Sequence, residues 1–245
     1  MTNATPLVLL PGTLCDERVW RAQIEALSAG REVIAPVLGE KPTLAEEVAS
    51  LLETLPPRFS LAGFSLGGIA AFEFYRQAPR RIERLALIAT NARADSEANR
   101  APRRQLAARA AAGELDRVLR DALLPNYLSP ACARSDVLLR EIGAMAHAGA
   151  ARFAHQVDYA CERPDSRPLL PSIDVPVLIL CGEDDRLSPL ELQGEMADAI
   201  ADATLQVVPG CGHFVLLEAP AVCRSALMRW LDAETKLDSK SGDAQ

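Results

Sequence analysis

The sequence lacks a long hydrophobic run and a basic N-terminal segment. It opens with "MTNATPLVLL", whose short apolar run leads directly into Pro11-Gly12. Such a run is too short to span a membrane, and no positive charge precedes it as in a secretory signal. We therefore expect neither a signal peptide nor a membrane partner, and we expect a cytoplasmic protein.

Paired cysteine motifs are also missing. A zinc site or a disulfide framework needs closely paired cysteines or a regular spacing to histidine, whereas a free cysteine behaves as a small buried hydrophobic residue. We expect the cysteines of this chain to be small buried hydrophobic residues, and we expect no metal site. The six cysteines, which form no C-x-x-C pair, are Cys15, Cys132, Cys161, Cys181, Cys211 and Cys223.

An excess of positive charge is absent as well. Lysine and arginine together number 26 against 33 acidic residues, which gives a formal net charge of -7. A protein of this charge repels phosphate backbones and anionic lipid, so we expect no nucleic-acid partner. The hydrophobic share of 49% and the charged share of 24% are typical of a soluble globular protein.

Short apolar runs alternate with helical patterns along most of the chain. Strands that alternate with helices form right-handed crossovers and a parallel sheet covered on both faces. The sequence therefore predicts an α/β fold of about six mostly parallel strands with helices on both faces. The six runs are "PLVLLPG", "REVIAPV", "FSLAGFS", "IERLALIAT", "VPVLILCGEDD" and "ATLQVVPGCGHF".

The alternation is interrupted by a segment with almost no strand signal. This segment shows helical apolar spacing, and within it Ser129 is a candidate N-cap and Pro130 a candidate first helical residue. The chain ends in a polar stretch that we expect to be flexible. The predicted organisation is a core of residues 1–92 and 166–235, a helical insertion of residues 93–165 and a tail of residues 236–245.

A sharp turn is predicted between the third strand and the helix that follows. The stretch "SLAGFSLGGIAAFEF" contains the pattern G-x-S-x-G at Gly63, Ser65 and Gly67. Glycine at the two flanking positions removes side chains that would collide in the turn, and the serine side chain then projects above the sheet. The backbone N–H of Leu66 comes to lie at a helix N-terminus, where negative charge is favoured. Ser65 is therefore a candidate nucleophile.

A serine nucleophile needs a base within hydrogen-bond reach and a third group that orients the base. The chain has only three histidines. His147 and His155 lie in the helical insertion, where a place on a polar helix face is the more ordinary role. His213 follows a strand in a loop with two glycines, and it is the candidate base.

The candidate acid follows the fifth strand, in the segment "LILCGEDDRLSP". Glu183, Asp184 and Asp185 lie there at the carboxyl edge of the predicted sheet, where Ser65 and His213 also emerge. The spacing within the loop favours Asp185 as the residue that faces the histidine. Asp184 stays open as the alternative.

Together these segments resemble the α/β-hydrolase superfamily. The resemblance extends from "LVLLPGTLCDERVW" through "AGFSLGG" and "CGEDDRLSP" to "GCGHFVLLEAP" and so covers nearly the whole chain. It implies the α/β-hydrolase fold, a triad in the chain order Ser65, Asp185, His213 and an inserted helical lid over residues 93–165.

The same resemblance implies an oxyanion hole made of backbone amides. By position, these would be the amides of Thr13 and Leu66. The family usually has His-Gly in the loop after its third strand, whereas this chain has Pro11-Gly12. By the family's count this chain begins at that third strand, so the resemblance implies six strands.

The chemistry that the resemblance implies is hydrolysis of a small-molecule carboxylic ester through an acyl-enzyme, without a metal or an organic cofactor. Several segments look most like small carboxylesterases, loosely including those that demethylate pimeloyl-carrier-protein esters. The same triad also serves acyltransferases, thioesterases, lactonases and carbon-carbon hydrolases, and pocket shape rather than fold decides among them. A ligand-binding receptor is the non-enzymatic alternative.

Two groups of residues in the insertion have more than one interpretation. Arginines there are interpreted first as a solvated helix face, because acidic residues lie nearby, and second as a site for a carrier protein or an anionic substrate. Apolar residues are interpreted first as packing and second as an acyl pocket. The arginines are Arg100, Arg103, Arg104 and Arg109, and the apolar residues are Leu124, Tyr127, Leu128, Phe153 and Tyr159.

Overall fold

The computed structural model describes residues 4–233. Within that range six strands form one sheet in the order β2-β1-β3-β4-β5-β6, and every pairing is parallel. The predicted α/β fold of about six mostly parallel strands is confirmed, whereas the predicted tail lies outside the described residues. The strands are β1 (Leu7–Leu10), β2 (Val33–Ile34), β3 (Phe59–Phe64), β4 (Ile82–Ile88), β5 (Val177–Gly182) and β6 (Ala203–Val208).

Helices cover both faces of this sheet. None of the described helices has the length and apolar character needed to cross a bilayer. The helices are α1 (Arg21–Leu27), α2 (Leu44–Thr54), α3 (Leu66–Gln77), α4 (Glu97–Arg109), α5 (Leu115–Val118), α6 (Asp136–Gly149), α7 (Phe153–Glu162), α8 (Leu190–Ala199), α9 (Val215–Glu218) and α10 (Pro220–Asp232).

Strands β1, β3 and β5 are nearly continuous apolar runs because helices cover them on two sides. Every residue of β1, β3 and β5 is buried, as is typical of a parallel sheet between helix layers. Alternate side chains enter two cores. Leu7 and Leu9 pack in the cluster that contains Trp20 and Trp230, and Val8 packs in the cluster of the opposite face.

Strand β2 is shorter than the sequence predicts. It covers only two residues of the run "REVIAPV". Pro36 follows two residues after the strand, and a proline has no N–H with which to extend a ladder of backbone hydrogen bonds.

The carboxyl ends of the central strands meet at one edge of the sheet. Leu10 pairs with Gly63, Phe64 pairs with Ile88, and Ile88 pairs in turn with Leu180. The loops that follow β1, β3 and β5 therefore emerge side by side. In open α/β sheets this edge is where ligands bind.

Helices α4 to α7 lie between β4 and β5 in the chain, within the predicted insertion. Short π-helical and 3-10 segments join them: Ala110–Glu114, Leu119–Leu123, Leu124–Asn126 and Ala150–Arg152. Gly113 has φ 91° inside the first of these, a conformation that favours glycine. The insertion has a core of its own, in which Val118, Phe153 and Cys161 pack together with Leu14 from the loop after β1.

The predicted helix start at Ser129 and Pro130 is wrong. Residues 130–134 form turns, and α6 begins at Asp136 with Ser135 as its N-cap. Among the described residues, the buried Ser129 hydroxyl has no hydrogen-bond partner, so it does not cap a helix. The chain instead makes two successive turns, closed by the Cys132 N–H on the Ser129 carbonyl at 3.0 Å and by the Ser135 N–H on the Cys132 carbonyl at 2.9 Å.

The turn from β3 to α3 depends on two very close backbone approaches. A Cβ atom added to Gly63 would lie 2.2 Å from the carbonyl oxygen of Gly67, and one added to Gly67 would lie 2.3 Å from the carbonyl oxygen of Leu10. Real Cβ atoms do not approach oxygen so closely. The first turn of α3 can therefore rest on β1 and β3 only while both positions are glycine.

We expect Gly67→Ala to lower the free energy of unfolding by about 3 kcal/mol or more, because the added methyl group pushes α3 away from β1. The matched control is Gly194→Ala in α8, where an added Cβ meets no atom within 4 Å and alanine should stabilise the helix by about 1 kcal/mol. Urea unfolding followed by circular dichroism measures both changes. Equal stability of the two variants would contradict this account of the turn.

Candidate active site

Ser65 occupies a strained backbone conformation at the end of β3. Its φ is 53° and its ψ is -112°, in a region that costs a residue other than glycine about 1 to 3 kcal/mol. Two hydrogen bonds of 2.8 Å hold it there, from the Ser65 N–H to the carbonyl of Ile88 and from the Thr90 hydroxyl to the carbonyl of Ser65. The strain presents the serine side chain at the carboxyl edge of the sheet.

His213 reaches Ser65 from the loop after β6. Its Nε2 lies 2.9 Å from the Ser65 Oγ, and its side chain is buried. The ring packs 5.4 Å from that of Phe64 and stacks on that of Tyr127 at 6.1 Å, measured between ring centroids. These contacts fix the imidazole plane so that one nitrogen faces the serine.

The loop that carries His213 is held on both sides of the histidine. Glu218 accepts a hydrogen bond of 3.0 Å from the Gly212 N–H, and the carbonyl of Tyr127 accepts one of 3.0 Å from the Phe214 N–H. Glu218 thus binds the amides of both Gly212 and Ser129. The histidine loop and the insertion share this carboxylate.

Asp185 faces the far side of the imidazole. Its two carboxylate oxygens lie 3.0 and 2.9 Å from the His213 Nδ1, and Oδ1 also accepts hydrogen bonds from the N–H groups of Leu187 and Ser188. Asp185 is buried, whereas Asp184 is exposed. Of the two carboxylates that the sequence left open, Asp185 is therefore the one beside His213.

The environment of Asp185 keeps it ionised. Burial by itself raises the pKa of this carboxyl, but the charge of His213 and the hydrogen bonds from His213, Ser188 and Leu187 outweigh burial and hold the pKa below its usual value. An ionised carboxylate at this place orients the imidazole and stabilises a positive charge on it.

The other two histidines lie elsewhere. His147 forms an exposed pair with Asp116, and the Nδ1 of His155 lies 2.9 Å from the carbonyl oxygen of Gly39. Neither side chain reaches Ser65. Among residues 4–233, no group of three or more histidine, cysteine, aspartate or glutamate residues could hold a metal ion, and the six cysteines, all of which fall in this range, are free.

Thr13 and Leu66 flank Ser65 in the same pocket. Within the described residues, neither of their backbone N–H groups donates a hydrogen bond to a protein acceptor. The Leu66 N–H is at the first residue of α3, where helix N–H groups have no partner inside the helix. Both amides are therefore available to a bound oxygen.

Gln156 of α7 holds the loop that contains Thr13, a role that the sequence did not reveal. Its side-chain oxygen accepts a hydrogen bond of 2.8 Å from the Leu14 N–H, and its side-chain nitrogen donates one of 2.8 Å to the carbonyl of Leu38. Leu14 has φ 56°, so this bond secures a strained residue. The signal that the sequence offered was a glutamine among the apolar positions Phe153, Val157 and Ala160 of one helix.

A pocket of about 130 Å³ opens beside Ser65. This is roughly ten times the space that one water molecule needs. Of the five apolar residues with open roles, Tyr127 and Phe153 line the pocket, while Leu124, Leu128 and Tyr159 are not among its walls. Helices α4 and α7 supply one wall, which includes Leu106, Val157 and Ala160.

Three of the four arginines noted in the sequence form ion pairs on the surface. Arg100 pairs with Glu97 at 3.2 Å and Arg109 with Glu114 at 3.0 Å, while Arg104 pairs with both Asp158 and Glu162. Arg103 differs from these three because it lines the pocket.

Comparison with known proteins gives a consistent result. Residues 7–226 match the family model described as "Alpha/beta hydrolase family". The chain is 30% identical over 241 residues to the pimeloyl-[acyl-carrier protein] methyl ester esterase of Aromatoleum aromaticum, covering 90% of this chain and 96% of that one.

Solved structures agree with the sequence matches. A thermophilic esterase from Thermogutta terrifontis superposes with a TM-score of 0.85 and 28% identity, covering 94% of this chain and 90% of that one. The enol-lactonase from Burkholderia xenovorans LB400 gives a TM-score of 0.84 and 27% identity, covering 94% of this chain and 92% of that one. All of these comparisons point to one family.

We expect Gln156→Leu to lower the free energy of unfolding by about 2 to 4 kcal/mol, because the Leu14 N–H and the Leu38 carbonyl lose their buried partner. The matched control is Gln105→Leu, since Gln105 lies exposed on α4 and should change stability by less than about 0.5 kcal/mol. Urea unfolding measures both. A Gln156→Leu variant as stable as the control would contradict the proposed support of the Thr13 loop.

Proposed function

Since the chain belongs to the alpha/beta hydrolase family, we propose that it is a serine hydrolase that cleaves a carboxylic ester through an acyl-enzyme. The observation that carries this proposal is the hydrogen-bonded series from the Ser65 hydroxyl through His213 to Asp185. The Ser65 end of that series lines a pocket large enough for a small substrate. An esterase among the relatives and an esterase among the structural neighbours support the same reaction class.

In the first half of the reaction, the Ser65 Oγ attacks the ester carbonyl carbon while the His213 Nε2 takes the hydroxyl proton. The tetrahedral intermediate then collapses as His213 returns the proton to the departing alcohol, and the carbon-oxygen bond to that alcohol breaks. Asp185 stays ionised throughout and stabilises the imidazolium. Its lowered pKa supports this role.

In the second half, water attacks the acyl-enzyme. His213 takes a proton from the water and returns it to the Ser65 Oγ as the ester bond to the enzyme breaks. The products are a carboxylic acid and the free serine. No step needs a metal or an organic cofactor.

The developing oxyanion would be held by the amides of Thr13 and Leu66. Donors fixed before the reaction stabilise the transition state without reorganising, and one such donor contributes about 3 to 4 kcal/mol. The unpaired state of both amides supports this assignment. Gln156 would act as a positioning residue, because it fixes Leu14, the neighbour of Thr13.

We further propose that residues 93–165 form a lid over a core of residues 1–92 and 166–235. Helices α4 and α7 supply pocket walls from this segment, including Leu106, Phe153 and Val157. The size of the pocket favours a small-molecule ester as the bound substrate. The surface ion pairs of Arg100 and Arg104 favour the same interpretation over a carrier protein, because these arginines already have acidic partners.

A lactone is the second candidate substrate, because the neighbour from Burkholderia xenovorans is an enol-lactonase. A lactone is an internal ester, so the same attack by Ser65 opens its ring. Assays that supply esters, thioesters, lactones and alternative acyl acceptors separate these activities. A receptor would bind such compounds with little product.

We expect Ser65→Ala to lower kcat on p-nitrophenyl esters by about 10⁴-fold or more, because the nucleophile is lost. The matched control is Ser225→Ala on the exposed surface of α10, which should keep wild-type turnover. A chain-length series of esters is assayed after circular dichroism shows equal folding. Turnover that does not depend on Ser65 would overturn the proposal.

We expect Asp185→Asn to lower kcat by about 10³- to 10⁴-fold, because an amide neither stabilises the imidazolium nor selects its tautomer. Asp184→Asn alters an exposed neighbour of the same type and should change kcat by less than about twofold. Steady-state assays of the two purified variants decide between them. Equal losses would remove Asp185 from the triad.

A further inference from the structure

The walls of the pocket beside Ser65 include more positive than negative charge. Arg103 and Arg163 line it, and no aspartate or glutamate is among its described lining residues. The remaining walls are mostly apolar or uncharged. An anionic group inside the pocket would therefore face two arginines and no carboxylate in the walls themselves.

One buried carboxylate lies behind these two arginines. Asp95, whose side chain is 1% exposed, faces the Arg103 Nε at 3.0 Å with one oxygen and an Arg163 nitrogen at 3.5 Å with the other. Two cations therefore share one anion, which leaves an excess positive charge. Burial lowers the pKa of Arg163, the charge of Asp95 opposes that shift, and nearby Arg103 adds to it.

The two arginines are not equally free to bind a ligand. Arg163 donates to the backbone carbonyls of Arg93 and Ala160 at 2.8 and 2.6 Å, so its guanidinium is almost fully engaged. Arg103 uses only its Nε, toward Asp95. Within the described residues, both terminal nitrogens of Arg103 lack a protein acceptor, and its side chain is 42% exposed.

Helix α7 sets the distance between the serine and the positive charge. Gln156 contacts the loop of Thr13, and Arg163 follows seven residues later, which corresponds to about 10 Å along a helix. Val157 and Ala160 lie between them on the pocket wall. Along this wall the side chains thus change from the polar Gln156 through apolar residues to Arg163, which directly follows the end of α7.

We propose that this pocket selects an ester whose acyl chain ends in a second, ionised carboxylate, with Arg103 as the group that binds it. This inference rests on the proposed esterase function and names its substrate class. Arg163 and Asp95 act as positioning residues, because Asp95 accepts from Arg103 and fixes the direction in which its free nitrogens point. The apolar residues of the α7 wall take the methylene groups of the chain.

The test compares monoethyl esters of linear dicarboxylic acids with the matching esters in which a carboxamide replaces the free carboxylate. The two members of each pair differ in charge and hardly in size. At the best chain length, we expect kcat/KM of the wild type to favour the carboxylate at least tenfold. We expect that preference to weaken as salt is added, because salt screens charge at a partly exposed site.

Arg103→Gln should reduce the ratio of the two kcat/KM values to below twofold, and Arg103→Lys should keep most of the preference. Arg104→Gln is the matched control, because it removes the neighbouring arginine, which pairs on the surface with Asp158 and Glu162; its ratio should equal that of the wild type. Melting temperatures establish that each variant is folded. A wild type without preference, or an unchanged ratio in Arg103→Gln, would overturn the inference.

Binding to Ser65→Ala separates this inference from the esterase proposal. Calorimetric titration of that variant with the same ester pairs reports recognition without turnover. Carboxylate-selective binding that Arg103→Gln abolishes would support the inference even if no ester were hydrolysed. Hydrolysis that depends on Ser65 but shows no preference for the carboxylate would leave the esterase proposal standing and overturn this inference alone.

Discussion

The first turn of α3 rests directly on the backbones of β1 and β3, and this contact determines where the serine lies. Helix and strand can approach so closely only because Gly63 and Gly67 have no side chains. The chain must then turn sharply at Ser65, which takes a left-handed φ of 53°. The same turn leaves the N–H of Leu66 unpaired beside the serine. One packing contact thus positions both the serine hydroxyl and the unpaired amide that we propose as an oxyanion donor.

Irregular loops at the edge of the sheet would be costly to bury without partners for their backbone groups. Three buried or half-buried polar side chains supply those partners. Asp185 accepts from Leu187 and Ser188, Glu218 accepts from Ser129 and Gly212, and Gln156 bridges Leu14 and Leu38. These contacts hold the loops in place although the loops contain no helix or strand. The side chains that the loops carry therefore keep a defined position.

The insertion is linked to the sheet at two of those three points. Gln156 reaches from α7 to the loop after β1, and the Ser129 N–H donates to Glu218, which also holds the histidine loop. A shift of the insertion would therefore disturb the Thr13 amide and His213 together. Helices α4 and α7 also form a wall of the pocket. The same helices therefore affect both the shape of the pocket and the positions of Thr13 and His213.

The fold could be predicted from the sequence because β1, β3 and β5 are nearly continuous apolar runs and a glycine or proline marks several of the joins. The turn at Ser65 was predictable for the same reason, since glycine spacing reports a local steric requirement. The start of α6 was not, because Ser129 and Pro130 satisfy the local rules for a helix start, whereas the chain makes two successive turns there and the Ser129 hydroxyl has no partner among the described residues. Gln156 was missed, and Arg103 was named only as one of four arginines, for a similar reason. Their roles come from partners on other elements, and a helical pattern does not distinguish Arg103, which faces the pocket, from Arg104, which faces solvent.

If His213 and Asp185 activate Ser65 as a nucleophile, an alkyl fluorophosphonate should react with the Ser65 hydroxyl. Peptide mass spectrometry of the treated protein should then find one adduct per chain, on the peptide that contains Ser65. The rate of labelling should be greatly reduced in His213→Ala. An adduct on another residue, or labelling of Ser65 that is indifferent to His213, would contradict this activation.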